Sequence, residues 1–237
     1  IIGDFDGDGR RDLAMPSTSM GSGTRPPPDS IDVIYSRDTG FDFEKIPVPG
    51  SGRSAVGDLS GDGRDDIAIV GESSLYIARR GATGPFSVET FPLGGCSQGG
   101  GTHGVDVVAI VDTNADGRAD ILHLDTCVGT LVTRLQTAGG VLAASSSIPI
   151  AIPGGQLVAF GDLNSDGRAD ILSGSPGSSG ADRGKFLAII AQADGSYVAG
   201  QEFSIIDSSS APSVAIGDVT GDGRNDAIAS DYSHVLV

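Results

Sequence analysis

Residues 3–13 read GDFDGDGRRDL, and four close copies of that stretch follow it along the chain. They are GDLSGDGRDDI at 57–67, VDTNADGRADI at 111–121, GDLNSDGRADI at 161–171 and GDVTGDGRNDA at 217–227. The shared skeleton is Asp-x-(Asp/Asn/Ser/Thr)-x-Asp-Gly-Arg-x-Asp. Its first Asp falls at 4, 58, 112, 162 and 218, giving steps of 54, 54, 50 and 56 residues. Five copies at near-constant spacing make this a repeat protein, and the period limits the architectures open to it.

Short apolar, β-branched runs flank every copy. SAVG, VVAIV, LVAFG and SVAIG precede the loops, and LAM, IAIV, ILHL, ILSG and AIAS follow them. Runs this short read as buried strands rather than helices. The rest of each unit supplies two further strand candidates: IDVIYSR and FDFEKIPV, LYIAR and FSVETF, TLVTRLQT and VLAASSSIPI, then FLAIIAQ and YVAGQEFSII. Four antiparallel strands per ~50 residues is the pattern of a β-propeller blade, whereas solenoid units are usually shorter or helical. The expected fold is therefore all-β, a propeller of four-stranded antiparallel blades in about five repeats. The expected blades are residues 1–53, 54–104, 105–155, 156–213 and 214–237, within one domain. The last is incomplete, so the chain is either a five-bladed ring or a segment of a larger one.

The loops carry calcium chemistry. Ca²⁺ takes about six to eight oxygen ligands, so a short loop must turn oxygens toward one point at alternate positions. Side chains at positions 1, 3, 5 and 9 and the carbonyl at position 7 offer them, while Gly at position 6 allows the sharp turn. The expected ligands are Asp4, Asp6, Asp8, Arg10 and Asp12 in loop 1, and Asp58, Ser60, Asp62, Arg64 and Asp66 in loop 2. Loop 3 offers Asp112, Asn114, Asp116, Arg118 and Asp120; loop 4 offers Asp162, Asn164, Asp166, Arg168 and Asp170. Loop 5 offers Asp218, Thr220, Asp222, Arg224 and Asp226, each Arg serving through its carbonyl. An EF-hand would need Glu at position 12, where this chain has Met15, Ile69, His123, Ser173 and Ala229. The loop skeleton holds no Cys or His, which disfavours Zn²⁺.

Charge supports this reading. The net charge is −16, from 31 acids against 15 Lys plus Arg, and sixteen acids lie at the proposed ligand positions. Such a balance disfavours a nucleic-acid partner. No run approaches the ~18 apolar residues of a membrane span. The first residues, IIGDFDGDGR, carry no signal-peptide pattern, so the chain begins after any export signal or never had one. Five structural Ca²⁺ are expected, with loop 1 the tightest and loops 2 and 5 the weakest. Affinities in the extracellular range, ~10⁻⁴–10⁻³ M, imply a secreted protein.

These loops resemble the FG-GAP/VCBS repeats best known from the propellers of integrin α-subunits. The resemblance covers the whole chain. It implies a β-propeller with calcium in the hairpin between strands 1 and 2 of each blade, opposite the usual ligand surface. Only Phe160-Gly161 matches the Phe-Gly element, and loop 3 has Val111 where the others have Gly. The chain is most similar to the secreted bacterial or fungal branch.

Cys96 and Cys127 fall on the blade scheme at the end away from the loops, and a disulfide between them is expected. His103, His123 and His234 could form acid–base pairs, but no nucleophile, zinc or phosphate-loop motif accompanies them, so no enzyme is expected. Ligand contacts are expected on the long connections Ser17–Ser30, Leu93–Gly104 and Ser175–Gly184. The functional expectation is a binding module for an extracellular glycan or protein. The alternative is a non-catalytic appendage of a larger secreted hydrolase or lyase.

Overall fold

In the run Ser30–Ser36 (SIDVIYS), Ile31, Val33 and Tyr35 point inward while Asp32 and Ile34 point outward, the period-two alternation of a half-buried strand. That pattern recurs through a computed structural model of the chain, which describes residues 1–17, 30–48, 53–71, 74–81, 84–93, 105–125, 129–149, 157–175, 185–204, 213–230 and 235–236. No helix occurs among the described residues, and so none long and apolar enough to cross a membrane.

The strands fall into five antiparallel sheets, one per repeat. The first holds β1 (Ile2–Gly3), β2 (Asp12–Ser17), β3 (Ser30–Ser36) and β4 (Phe41–Pro47) in that order. The second holds β5 (Ser54–Gly57), β6 (Asp66–Val70), β7 (Ser74–Arg80) and β8 (Phe86–Pro92). The third comprises β9 (Val105–Val111), β10 (Asp120–Asp125), β11 (Thr130–Arg134) and β12 (Ser146–Pro149). The fourth comprises β13 (Leu157–Gly161), β14 (Asp170–Ser175), β15 (Lys185–Ala191) and β16 (Tyr197–Ser204). The fifth has three described strands, β17 (Ser213–Gly217), β18 (Asp226–Ser230) and β19 (Val235–Leu236). This is the expected all-β architecture of propeller blades, with the repeat loop joining strands 1 and 2 each time.

One strand differs from its sequence reading. VLAASSSIPI forms only a bridge from Leu142 to Gln136 before β12 begins at Ser146. The small residues between them, Ala143 to Ser145, bury little, and the Ala143 N–H donates back to the Leu135 carbonyl at 2.8 Å.

The chain divides into two compact units: residues 1–110, 119–127 and 133–146, and residues 111–118, 128–132 and 147–237. In the first, Phe5, Ala14, Ile31, Val33, Tyr35 and Ile46 of one sheet bury against Ile67, Ile69 and Ala78 of the next. A second cluster of Leu59, Val70, Leu75 and Ile77 meets Val108 and Ile121. In the second unit, Leu172 and Phe186 pack on Ala229.

At three of the repeats, the glycine before the loop meets an apolar side chain of the next sheet at close range. A Cβ on Gly3 would stand 2.7 Å from Val56, one on Gly57 2.6 Å from Ile110, and one on Gly161 2.7 Å from Ile216. Each apolar partner lies two residues before the first Asp of its own loop, so its side chain fits a notch that only glycine leaves open. Gly57→Ala and Gly161→Ala should each cost about 1–3 kcal/mol by overpacking. Gly217→Ala, with nothing within 4 Å of its Cβ position, should stay within about 0.5 kcal/mol of the parent. Urea denaturation of the three variants measures this; equal effects at 161 and 217 would remove the notch account.

Candidate functional site: the repeated acidic loops

The first Asp of each loop organises the backbone that follows. Asp4 Oδ1 accepts the N–H groups of Gly7 at 2.7 Å and Asp8 at 3.1 Å, and Oδ2 accepts that of Gly9 at 2.8 Å. Asp58 does the same for Gly61, Asp62 and Gly63, and Asp218 for Gly221, Asp222 and Gly223. Asp112 and Asp162 hold Asp116 with Gly117 and Asp166 with Gly167 in the same way. The position 5 carboxylate then accepts the N–H of the position 7 Arg at 2.9–3.0 Å in all five loops.

Two residues per loop adopt left-handed backbone. Position 6 is always glycine, with φ between 79° and 84°. Position 4 is also left-handed, as Gly7, Gly61 and Gly221 but also as Ala115 (φ 60°) and Ser165 (φ 62°). A side chain there costs energy, so these two positions are held by the hydrogen bonds around them. The sequence reading identified position 6 and missed position 4, whose only signal is glycine in three of five copies.

Wrapping the chain this way gathers oxygens. In loop 1, Asp4, Asp6 and Asp8 each present a carboxylate oxygen, all within 4.8 Å of one another. The donors are hard oxygens with no sulfur or imidazole among them, a set that fits a hard cation such as Ca²⁺. Part of the charge is met by the protein itself. Arg37, at the end of β3, lies 2.5 Å from Asp6, 3.5 Å from Asp8 and 2.7 Å from Asp42. In loops 2, 3 and 4 the position 7 Arg pairs with the position 5 Asp, as Arg64–Asp62, Arg118–Asp116 and Arg168–Asp166. Burial raises the pKa of Asp116 and Asp166, but backbone N–H bonds, the neighbouring Asn side chain and the Arg charge outweigh it and leave both low.

The position 9 Asp has a second task. Asp12, Asp66, Asp120 and Asp170 are buried, and the oxygens of Asp12, Asp66 and Asp170 accept backbone N–H groups from two directions. Asp66 Oδ2 takes the Leu59 N–H at 3.0 Å within its loop, and Oδ1 takes the Arg80 N–H at 3.1 Å from the end of the third strand. Asp12 bonds Phe5 and Ser36, and Asp170 bonds Leu163 and Ala191, in the same arrangement. Asp120 bonds Gln136, and the half-exposed Asp226 bonds Val219 and Thr220. Burial raises Asp12 and Asp170 and pushes Asp66 up to about 7, against the opposing pull of these N–H groups. Adjacent loops are also stitched together. Asp65 and Asp4 exchange two bonds of 2.8 Å, the Ala169 N–H donates to the Asp112 carbonyl, and the Asn225 side chain donates to the Asp162 carbonyl.

His123 lies on β10 with 4% exposure, and its Nδ1 meets no hydrogen-bond partner. Burial, with help from the Arg134 charge and against Asp125, lowers its pKa to about 4. It is a buried, neutral imidazole. His103, His234, Cys96 and Cys127 lie outside the described residues, as do 18–29, 94–104 and 176–184 of the three long connections.

An FG-GAP-like repeat model matches residues 58–123 and 162–229, more than half of the chain. No curated protein matches the sequence. The structure is similar to a lectin of Agrocybe aegerita described for specific recognition of non-reducing terminal N-acetylglucosamine. The identity is 19% and the TM-score 0.64, over 99% of this chain and 61% of the lectin chain. It is also similar to part of the Photorhabdus luminescens Tc holotoxin pore, at 16% identity and a TM-score of 0.55, over 98% of this chain and 11% of that one. The chain thus spans less than two thirds of either relative. At such identities the likeness is one of fold.

Two measurements test these assignments. In chelator, Asp66→Ala should cost about 2–5 kcal/mol by stranding two N–H groups, whereas Asp226→Ala at its half-exposed site should cost about 1 kcal/mol. Equal losses in urea melts would contradict the buried tie. His123 has a folded pKa below its unfolded value, so the unfolded chain takes up the proton first as pH falls. Stability should therefore drop by roughly 3 kcal/mol between about pH 6.5 and 4. His123→Gln should flatten that part of the pH–stability curve, and an unchanged slope would contradict the assignment.

Proposed function

The chain belongs to the FG-GAP-like repeat family, and on that premise we propose that it is a calcium-stabilised, secreted binding module for a glycan or an extracellular protein. The observation that carries the calcium reading is the convergence of the Asp4, Asp6 and Asp8 oxygens within 4.8 Å. Asp4, Asp6 and Asp8, with the Arg10 carbonyl and Asp12, would hold the ion in loop 1, and the equivalent residues would do so in the other four. A bound cation supplies charge compensation that ties strands 1 and 2 of a blade together. The chain's own part is to preset the loop: position 1 gathers the N–H groups, and position 9 anchors the loop to the third strand. Neither task needs a reacting group, which supports a module without catalysis of its own.

Ligand recognition rests on the fold. Its similarity to a lectin supports a glycan as the first class to test. With no Trp and four Tyr in the chain, sugar-stacking platforms are few, so polar contacts would carry more of the affinity. A second reading is a non-catalytic appendage of a larger secreted hydrolase or lyase; the Tc holotoxin pore supports the appendage part of it alone. There a similar fold makes up 11% of a longer chain.

Calcium at about 100 times the dissociation constant adds about 2.7 kcal/mol per site. The melting temperature should therefore rise on titration into the ~1 mM range, and Asp8→Ala should weaken that response. A melting temperature indifferent to both calcium and chelator would refute the metal assignment. A glycan array probed with calcium-loaded and chelated protein then tests recognition: binding lost on chelation supports a lectin, and silence in both states directs the search to protein ligands.

A further inference from the structure

Loop 1 differs from its four copies in how its acids are paired. It alone has a carboxylate at position 3, Asp6, where the others have Ser60, Asn114, Asn164 and Thr220. Carboxylate count by itself would make it the tightest cation site of the five. In loops 2, 3 and 4 the position 7 arginine turns back on the position 5 carboxylate, at 3.4, 2.5 and 3.2 Å. In loop 1 that arginine, Arg10, reaches away to Asp38 at 2.6 Å. The place beside the acids goes instead to Arg37, which enters from the end of β3.

Arg37 is held from outside the loop. Its Nε donates to Asp42 at 2.7 Å and its Nη1 to the Ser36 carbonyl at 3.4 Å. Its guanidinium lies 5.1 Å over the ring of the buried Tyr35. From that seat Nη1 donates to Asp6 Oδ2 at 2.5 Å and stands 3.5 Å from Asp8 Oδ2. The other Asp6 oxygen accepts the Asp8 N–H at 3.3 Å. Asp6 and Asp8 are two of the three acids whose oxygens converge within 4.8 Å. Arg64 also reaches this loop, but it donates to the Asp6 carbonyl and pairs with Asp62 of its own loop. A positive group fixed by β3 and β4 thus draws on carboxylates at positions 3 and 5, both of them ligand positions.

We propose that Arg37 is a built-in competitor for calcium in loop 1, a role that rests on the calcium reading given above. Asp6 then serves to tie the loop to the turn at 37–40 between β3 and β4, rather than to tighten the metal site. A divalent ion and a guanidinium that share two carboxylates repel each other. Each therefore weakens the hold of the other by the same factor. Occupancy of loop 1 trades against the Arg37–Asp6 pair, so calcium loosens one tie between the loop and the outer hairpin of its sheet.

Calorimetric titration of calcium into the 237-residue chain and its variants tests the proposal. Asp8→Ala should remove one binding equivalent, which marks loop 1. Arg37→Gln, at a side chain 33% exposed, should tighten that equivalent by at least about tenfold and leave the others unchanged. In the Asp8→Ala background it should change nothing. Arg37→Lys keeps the charge and should stay near the wild type. Melting gives a second readout: Arg37→Gln should lower the melting temperature in chelator, and the loss should shrink or reverse in calcium. A purely structural arginine would cost the same in both. A wild-type chain that takes up no calcium would sink the calcium reading and this proposal with it. Calcium uptake that Arg37→Gln leaves unchanged or weakens overturns the proposal alone, as does equal tightening by Arg37→Lys.

Discussion

A carboxylate placed inside a sheet interface must be met by hydrogen-bond donors, and here peptide N–H groups meet it. The last Asp of the loop closes a short circuit: one oxygen holds the second residue of the loop, the other the end of the third strand, as seen at Asp12, Asp66 and Asp170. This fixes the hairpin between the first two strands against the third. The rest of the loop then has a defined frame on which the first Asp can fold the chain. The left-handed residues at positions 4 and 6 recur in all five copies, including loop 5, where Asp226 bonds Val219 and Thr220 within the loop. The first Asp therefore sets this turn, and the last Asp ties it to the sheet.

The frame also sets the electrostatics. Folding three or four acids into a few ångströms is unfavourable unless positive charge or N–H dipoles face them. The protein supplies both, through backbone donors in every loop and through Arg37, Arg64, Arg118 and Arg168. Arg64 also reaches back to the Asp6 carbonyl at 3.0 Å, which ties one loop to the next. The same arginine therefore balances charge within its loop and spaces the repeats.

Much of this was legible in the residues. The Asp-Gly skeleton marked the loops, and β-branched runs such as SAVG and IAIV marked the strands beside them, because both follow from local chemistry. The anchoring role of the last Asp was not visible. Its distant partners are the N–H groups of Ser36, Arg80, Gln136 and Ala191, a group that almost every residue type carries. Arg37 was hidden for a similar reason: it arrives from another strand, 31 residues beyond Asp6, at no repeated spacing. Position 4 was masked by Ala115 and Ser165, which accept a backbone conformation that sequence reading reserves for glycine.

The pairing of a glycine notch with an apolar side chain one residue earlier bears on how such a chain can grow. Knob and notch sit side by side in the same strand, as at Val56-Gly57 and Ile216-Gly217. A duplicated stretch of gene encoding one unit thus brings a side chain for the sheet before it and a socket for the sheet after it. Insertion of a unit needs no compensating change in its neighbours, which makes lengthening by copying an inexpensive route for this architecture. Val111 stands where the other repeats have glycine, so the third unit carries no socket of this kind.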